Sequence, residues 1–439
     1  MKQKSLFVIC NAFLIGNIYG YNNGVNPLPA MGWNSWCSDW FCGSDVCSYT
    51  EVITVAQAMI DNGMHELGWN YLNLDDCWEA CWRSDFNESD PVETWDKGNI
   101  IPAPERFPYG IRNLTDTVHA MGFKFGLYTS AGIHTCNPGA RPCEVPGSYN
   151  HYQDDANTFA QWGLDYVKLD WCGTDHISQN YSELQPQFSE ALNNTGRTIW
   201  FEICRGYPYP PPASLYQISN SWRINGDHRD EWASTLKAIL HVGDNTYNVT
   251  SQSGPYNWAY MDFLMTGGQG CPGVNPNVPK KHCPGQTNIE YKTEFSIWSI
   301  TASPLIVAVD VREMTPIMNE ILLNKDVINV NQQYDTPAGK QILSYNCDPN
   351  VTNACQVWTR IYGDMSGYTN SIAVLLLNIG DSNHTINIDF EYLNVNWSNE
   401  TNVEIYDLWE HKIIGTFTGN YSSMVVSHGV VFTRMTESQ

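Results

Sequence analysis

Tyr166-Val167-Lys168-Leu169-Asp170-Trp171-Cys172 is the stretch on which the reading of this 439-residue chain turns. Its β-branched and aromatic residues predict a short buried strand, and that strand ends in a carboxylate flanked by a lysine, a tryptophan and a cysteine. Taken alone, Asp170 is as compatible with a helix N-cap, or with a structural ion pair to Lys168, as with chemistry at the mouth of a strand. The surrounding pattern has to decide.

Toward the N-terminus, strands and helices alternate. Met31 to Trp36 predicts a strand and Thr50 to Asn62 a helix stopped by Gly63. Trp69 to Leu74 predicts a strand that runs into Asp75-Asp76-Cys77-Trp78, followed by a helix over Ile111 to Met121, a strand over Phe123 to Tyr128 and a helix over Asp154 to Trp162. Toward the C-terminus come a helix over Glu183 to Asn193, strands over Thr198 to Glu202 and Ser219 to Arg223, and a helix over Asp230 to His241. A strand within Trp258 to Leu264, a helix within Glu290 to Thr301, a strand over Leu305 to Val309 and helices through Val330 complete the series. About eight such units over roughly 300 residues predict a (β/α)8 barrel. A doubly wound sheet fits less well, because no Gly-x-Gly-x-x-Gly opens the first unit.

Past Gln332 the texture changes to short runs separated by Gly, Asn, Asp and Ser: Gln356 to Tyr362, Ile372 to Leu377, Thr385 to Phe390, Val403 to Tyr406, Ile413 to Phe417 and Val430 to Thr433. This predicts a C-terminal antiparallel β-sandwich. With a boundary near Asp335 to Pro337, the expected organisation is a signal peptide at 1–20, a barrel at 21–335 and the sandwich at 336–439.

The formal charge of −23 excludes nucleic acid and anionic membrane surfaces as expected partners, because both would be repelled. Lys2 and Lys4, the apolar run Leu6 to Ile15 and then Ile18-Tyr19-Gly20 fit a secretory signal. Ten Asn-X-Ser/Thr acceptors, at Asn87, Asn113, Asn180, Asn193, Asn248, Asn350, Asn383, Asn396, Asn399 and Asn420, support secretion independently. The expected location is therefore extracellular or within the secretory and lysosomal pathway. Of the fourteen cysteines, Cys10 falls in the signal, and the odd number left implies at least one free thiol in a monomer. No Cys-x-x-Cys, no His-x-x-x-His and no Gly-rich phosphate loop is present, so neither a metal nor a cofactor is expected. Homo-oligomerisation is left open.

Working residues of (β/α)8 enzymes lie at the C-terminal strand ends. Asn34, Asp75, Asp76, Tyr128, Lys168, Asp170, Glu202, Arg223, Asp227 and Asp262 all fall at or just past predicted strand ends. Each singly could be a cap or a loop residue. Gathered at one end of a barrel they point to a site, since buried carboxylates cost several kcal/mol unless paired or used. Trp33, Trp36, Trp78, Trp171 and Trp222 lie among them. Carboxylates that accept hydroxyls, beside rings that pack on C–H faces, suit a sugar. A retaining glycosidase needs two carboxyl groups roughly 5 Å apart. Asp170, which the neighbouring Lys168 would keep ionised, is the candidate nucleophile, and Asp227 the candidate acid/base.

Five motifs in order, Met31-Gly32-Trp33-Asn34-Ser35-Trp36, Leu74 to Trp78, Gly126-Leu127-Tyr128-Thr129-Ser130-Ala131-Gly132, Tyr166 to Cys172, and Ser221-Trp222-Arg223 with Asp227, resemble the melibiases of glycoside hydrolase family 27. The resemblance implies a secreted retaining α-galactosidase acting on α-galactoside oligosaccharides or polysaccharides, with Asp170 as nucleophile and Asp227 as acid/base. It implies that Asp75 and Asp76 bind the axial 4-hydroxyl and the 6-hydroxyl, and that Trp36, Tyr128, Lys168, Cys172, Arg223 and Asp262 are further sugar contacts. It also pairs Cys136 with Cys172 beside the site and gives Cys77 the expected partner Cys42.

Two departures stand out. Where the family commonly has Cys, then Glu or Asn, then Trp, in a loop probing the sugar's 2-position, this chain has Cys204-Arg205-Gly206-Tyr207. Around Asp262 the usual Trp-Asn-Asp-Pro-Asp-Met becomes Trp258-Ala259-Tyr260-Met261-Asp262-Phe263. Arg205 thus joins the candidate contacts, and Cys204 is the candidate free thiol. α-N-Acetylgalactosaminidase and β-L-arabinopyranosidase remain alternatives on the same scaffold. A non-catalytic galactose lectin is disfavoured, because neither candidate carboxylate is missing.

Overall fold

The structure is a computed structural model that describes residues 21–36, 47–136, 143–205, 207, 212–244, 249–268, 284–334, 336–362, 371–393, 395 and 397–438. The signal at 1–20, Cys42, and the acceptors Asn248 and Asn396 lie outside the described residues. The eight described acceptors are all exposed, as a glycan requires.

Eight parallel strands form one sheet: β1 (Met31–Asn34), β2 (Tyr71–Leu74), β3 (Lys124–Ser130), β4 (Tyr166–Asp170), β5 (Trp200–Ile203), β6 (Ser221–Arg223), β7 (Trp258–Tyr260) and β8 (Leu305–Val307). Their spatial order is β7-β6-β5-β4-β3-β2-β1-β8, so each strand lies beside its neighbour in the chain. A parallel bridge between Leu264 and Val307, with Leu264 N–H donating to Ile306 O and Ala308 N–H to Leu264 O, closes the sheet into the predicted barrel. Around it run α1 (Tyr49–Asp61), the short α2 (Pro91–Thr94), α3 (Gly110–Ala120), α4 (Tyr152–Trp162), α5 (Tyr181–Asn194), α6 (Trp232–Val242), α7 (Asn288–Ile300), α8 (Pro316–Leu322) and α9 (Lys325–Asn331).

Local chemistry starts these helices. Ser48 Oγ accepts the Glu51 N–H at 3.1 Å, and Asn180 and Thr287 form reciprocal capping boxes with Glu183 and Glu290. Between β5 and β6 the described residues form only a 3-10 turn, Ala213–Gln217. The proline-rich stretch from Pro208 to Pro212 that precedes it lacks the amide donors a helix would need.

Side chains alternate across a strand, so Tyr166, Lys168 and Asp170 of β4 share one face. The register sets Tyr166 beside Gly126 and Trp200, and Lys168 beside Tyr128 and Glu202. The lower rung is aromatic: Tyr71, Tyr166, Trp200, Trp258 and Tyr260 form one buried cluster. Gly126 makes room for it, since a Cβ there would sit 2.2 Å from Asn73 Oδ1 and 2.7 Å from Tyr166 Cβ. A polar rung lies above, and Asp170 tops the strand.

The described residues of the C-terminal part form eight strands: β9 (Lys340–Tyr345), β10 (Cys355–Tyr362), β11 (Ser371–Asn378), β12 (His384–Asp389), β13 (Asn402–Asp407), β14 (Lys412–Thr418), β15 (Asn420–Val425) and β16 (Val430–Glu437). Six make an antiparallel sheet ordered β14-β13-β16-β11-β10-β9, and β12 pairs with β15. Val357, Val374, Leu376, Ile386, Ile388, Val403 and Met435 pack in one apolar cluster. The sequence predicts six of these strands and omits β9 and β15. In Lys340-Gln341-Ile342-Leu343-Ser344-Tyr345 and Asn420-Tyr421-Ser422-Ser423-Met424-Val425 polar residues break the apolar positions into pairs or single residues, so neither stretch offers the run on which prediction depends.

Trp358, Ala373, Leu375, Leu377 and Phe432 belong to the same core cluster as Phe295, Ile297 and Trp298 of α7. Arg360 on β10 is buried without a carboxylate partner among the described residues. Its guanidinium instead donates to the carbonyls of Val330, Asn331 (2.8 Å), Thr336 (3.1 Å) and Pro337 (3.0 Å).

Candidate active site

At the C-terminal ends of the strands, β4 presents Asp170. One of its oxygens accepts the Trp171 N–H at 2.8 Å and the other the Tyr128 hydroxyl at 3.1 Å. Burial, reinforced by Asp170, pushes the Tyr128 hydroxyl well above its ordinary value, so it remains a donor. Cys136 and Cys172 form a disulfide whose Cys136 sulfur lies 3.2 Å from Asp170 Oδ2, joining the loops after β3 and β4.

Lys168 does not pair with Asp170. Its ammonium donates to Asp75 Oδ2 at 2.7 Å, with both side chains almost wholly buried, and lies over the Tyr128 and Phe263 rings at 5.3 and 4.8 Å. Burial alone would lower the lysine; Asp75 above all, with Asp170 and Glu202 in support, outweighs it and raises the group. Asp75 Oδ1 takes the Asp76 N–H, and the Asp75 N–H donates to Ser35 Oγ, so its carboxylate is oriented from two strands. Asp76 is buried beside it, and half-buried Trp36 follows β1, its N–H bound to Asn34 Oδ1.

Across the mouth, Arg223 of β6 is 3 % exposed and reaches Asp227 Oδ1 at 2.9 Å, Asp262 Oδ2 at 3.3 Å and Cys204 Sγ at 2.9 Å. Asp262 holds φ of 79°, in the left-handed region, and its Oδ2 also accepts the His228 N–H at 2.7 Å. A buried aspartate in that conformation is over-determined by its surroundings, as at many functional sites. Asp227 Oδ1 takes a second guanidinium, Arg205 Nη2 at 2.6 Å. Burial would raise Asp227, but Arg223 and then Arg205 hold it down at about 2.

Cys204 is buried and is the free cysteine among the described residues, as expected. Burial raises its thiol, while the Arg223 guanidinium, 2.9 Å from Sγ, pulls the other way. The disulfide expected for Cys77 needs correction: its partner is Cys47, with Cα atoms 6.0 Å apart. Cys42 and Cys47 both fall between β1 and α1 in the sequence, and sequence alone does not select between them. Three roles were not visible in sequence. The Phe263 ring packs on Lys168, the Tyr207 hydroxyl is spent on the Arg223 carbonyl rather than facing the cleft, and Glu202 sits beneath Lys168 with Tyr166 donating to it.

The family described as alpha galactosidase A matches residues 28–333, and the alpha galactosidase C-terminal beta sandwich domain matches residues 352–435. An alpha-galactosidase of Cyamopsis tetragonoloba is 34 % identical over 410 residues, covering 93 % of this chain and 86 % of its own. One from Coffea arabica is 34 % identical over 407 residues, covering 92 % and 93 %. Among solved structures, alpha-galactosidase I from Mortierella vinacea superposes with a TM-score of 0.75 at 27 % identity, over 95 % of this chain and 99 % of its own.

Proposed function

The chain belongs to the melibiase family of α-galactosidases, retaining glycoside hydrolases, and on that premise we propose which residues perform the reaction and on what. The substrate is a terminal α-D-galactosyl residue of an oligosaccharide or a galactosylated polymer, met outside the cell or in the secretory pathway. No described helix is long and apolar enough to cross a membrane.

The observation that carries the assignment is Asp170, a strand-end carboxylate held by a donor on each oxygen and left half-exposed at the mouth of the barrel. An Asp170 oxygen attacks C1 of the sugar, the C1–O glycosidic bond breaks, and the leaving oxygen takes a proton from Asp227. A covalent galactosyl-Asp170 ester remains. Asp227, now a carboxylate, removes a proton from water, whose oxygen attacks C1, and galactose leaves with Asp170 restored. Asp75 and Asp76 accept sugar hydroxyls, with Lys168 fixing Asp75 and donating beside it. Trp36 packs on the C–H face, while Arg223 and Asp262 order the side that carries Asp227.

The reading is tested with Asp170→Asn. Turnover of a nitrophenyl α-D-galactoside is expected to vanish while the circular dichroism spectrum and melting temperature stay close to wild type; full activity in the variant would reject the assignment. Comparing nitrophenyl glycosides of galactose, N-acetylgalactosamine and arabinose decides the sugar.

A further inference from the structure

We propose that Arg205 is a latch on the acid/base: in the free enzyme it holds Asp227 as an ionised carboxylate, and substrate binding displaces it, so protonation of Asp227 is coupled to occupancy of the site. The inference rests on the assignment of Asp227 above.

The two arginines on Asp227 Oδ1 are not equivalent. Arg223 is buried and tied to Asp262, to Cys204 and to the Asn225 carbonyl at 3.2 Å, and cannot leave without stranding a desolvated guanidinium. Arg205 lies two residues past β5 and its side chain is 47 % exposed, against 43 % for that of Asp227; among the described residues its guanidinium pairs with Asp227. An exposed pair of this kind costs little to open. A general acid must carry a proton to give, yet this carboxylate is clasped twice, so one clasp has to open before the leaving oxygen can be protonated. Arg205 is the one that can.

The other charged groups around Asp227 do not supply the switch. Lys168 of β4 is committed to Asp75, Asp262 past β7 faces Arg223, and the adjacent His228 points its ring at Ser234 and Glu294 rather than toward Asp227. Arg205 is therefore a positioning residue acting through Asp227, and it occupies the point where this chain leaves the common family pattern.

The experiment is Arg205→Gln in the full-length protein, with pH profiles of kcat/KM and of kcat on 4-nitrophenyl α-D-galactoside. The profile of kcat/KM reports the free enzyme and that of kcat the complex. An opposite charge in contact lowers an aspartate by about one to three units, and partial exposure favours the low end. The alkaline limb of kcat/KM should move up by about one pH unit in R205Q, while the limb of kcat stays within about a third of a unit. R205K, which keeps the charge, should recover most of the wild-type limb. Raising salt from about 0.01 M to about 1 M, over which the screening length falls from about 30 to about 3 Å, should move the wild-type limb in the same direction and leave R205Q unaffected. Limbs that move together would mean that Arg205 stays on Asp227 in the complex, and limbs that do not move would mean that it never controls the carboxylate. Either outcome overturns the latch while leaving the α-galactosidase assignment standing. Absence of galactoside cleavage by the wild type would overturn that assignment and the latch with it.

Discussion

Replacing Glu202 with glutamine is expected to stabilise the protein at neutral pH and to do little in acid. Glu202 lies on β5 beside Lys168, fully buried, with the Tyr166 hydroxyl donating to one oxygen. Burial pushes its carboxyl up to about 7 from 4.5, although Lys168 and Tyr166 pull the other way. Below pH 4.5 the group is protonated in folded and unfolded chains alike, and its favourable contribution is complete. As pH rises from 4.5 to about 7 the unfolded chain releases the proton and the folded chain keeps it, so stability falls; above about 7 the contribution is gone. A gap of about 2.5 units, at about 1.4 kcal/mol per unit, corresponds to about 3 kcal/mol. Glutamine keeps the Tyr166 contact and does not titrate. With an unfolding entropy of about 2.1 cal/mol/K per residue, a chain of this length gains about 3 °C in melting temperature. Thermal unfolding of wild type and E202Q at pH 4.5 and 8 measures this. An equal shift at both pH values, or none at pH 8, would refute the argument.

The other expectations are more local. Lys168→Met leaves Asp75 as an uncompensated buried charge and should cost about 3–5 kcal/mol, read as a fall in melting temperature, and should also abolish galactoside cleavage. Arg360→Met removes the donor from four carbonyls, each worth about 1–3 kcal/mol when left bare in the interior, and should lower the melting temperature; a variant as stable as wild type would contradict the role given to Arg360.

What the sequence disclosed depended on whether the information was local. β4 has the bounds Tyr166 to Asp170 that its own composition predicts, and α1, α3 and α4 start and stop within a few residues of their caps. Asp170, Asp227, Asp75 and Arg223 could be nominated because each lies at a strand end. Their partners could not. Lys168 is two residues from Asp170, which invites a pairing, but its ammonium reaches Asp75, just past the end of β2. The choice of Cys47 over Cys42, the Arg205 contact with Asp227 and the Arg360 bonds to the end of α9 and the segment after it likewise depend on where distant backbone passes. β9 and β15 escaped notice because polar residues interrupt their apolar positions, whereas β14, more exposed than either, still shows Ile413-Ile414 and Phe417.

The order of the C-terminal sheet has a genetic consequence. β16 is last among the described strands, yet it lies between β13 and β11 near the middle of the six-stranded sheet and also touches α7 of the barrel. A stop codon near position 430 would therefore not trim a tail. It would split the sheet, bare the side of α7 that β16 covers, and leave a translation product with the whole catalytic constellation encoded but without the strand that joins the two halves of the sheet. Such late-truncating alleles should behave as null alleles, cleared as misfolded protein, whereas missense changes on the exposed strand β14 should pass unnoticed.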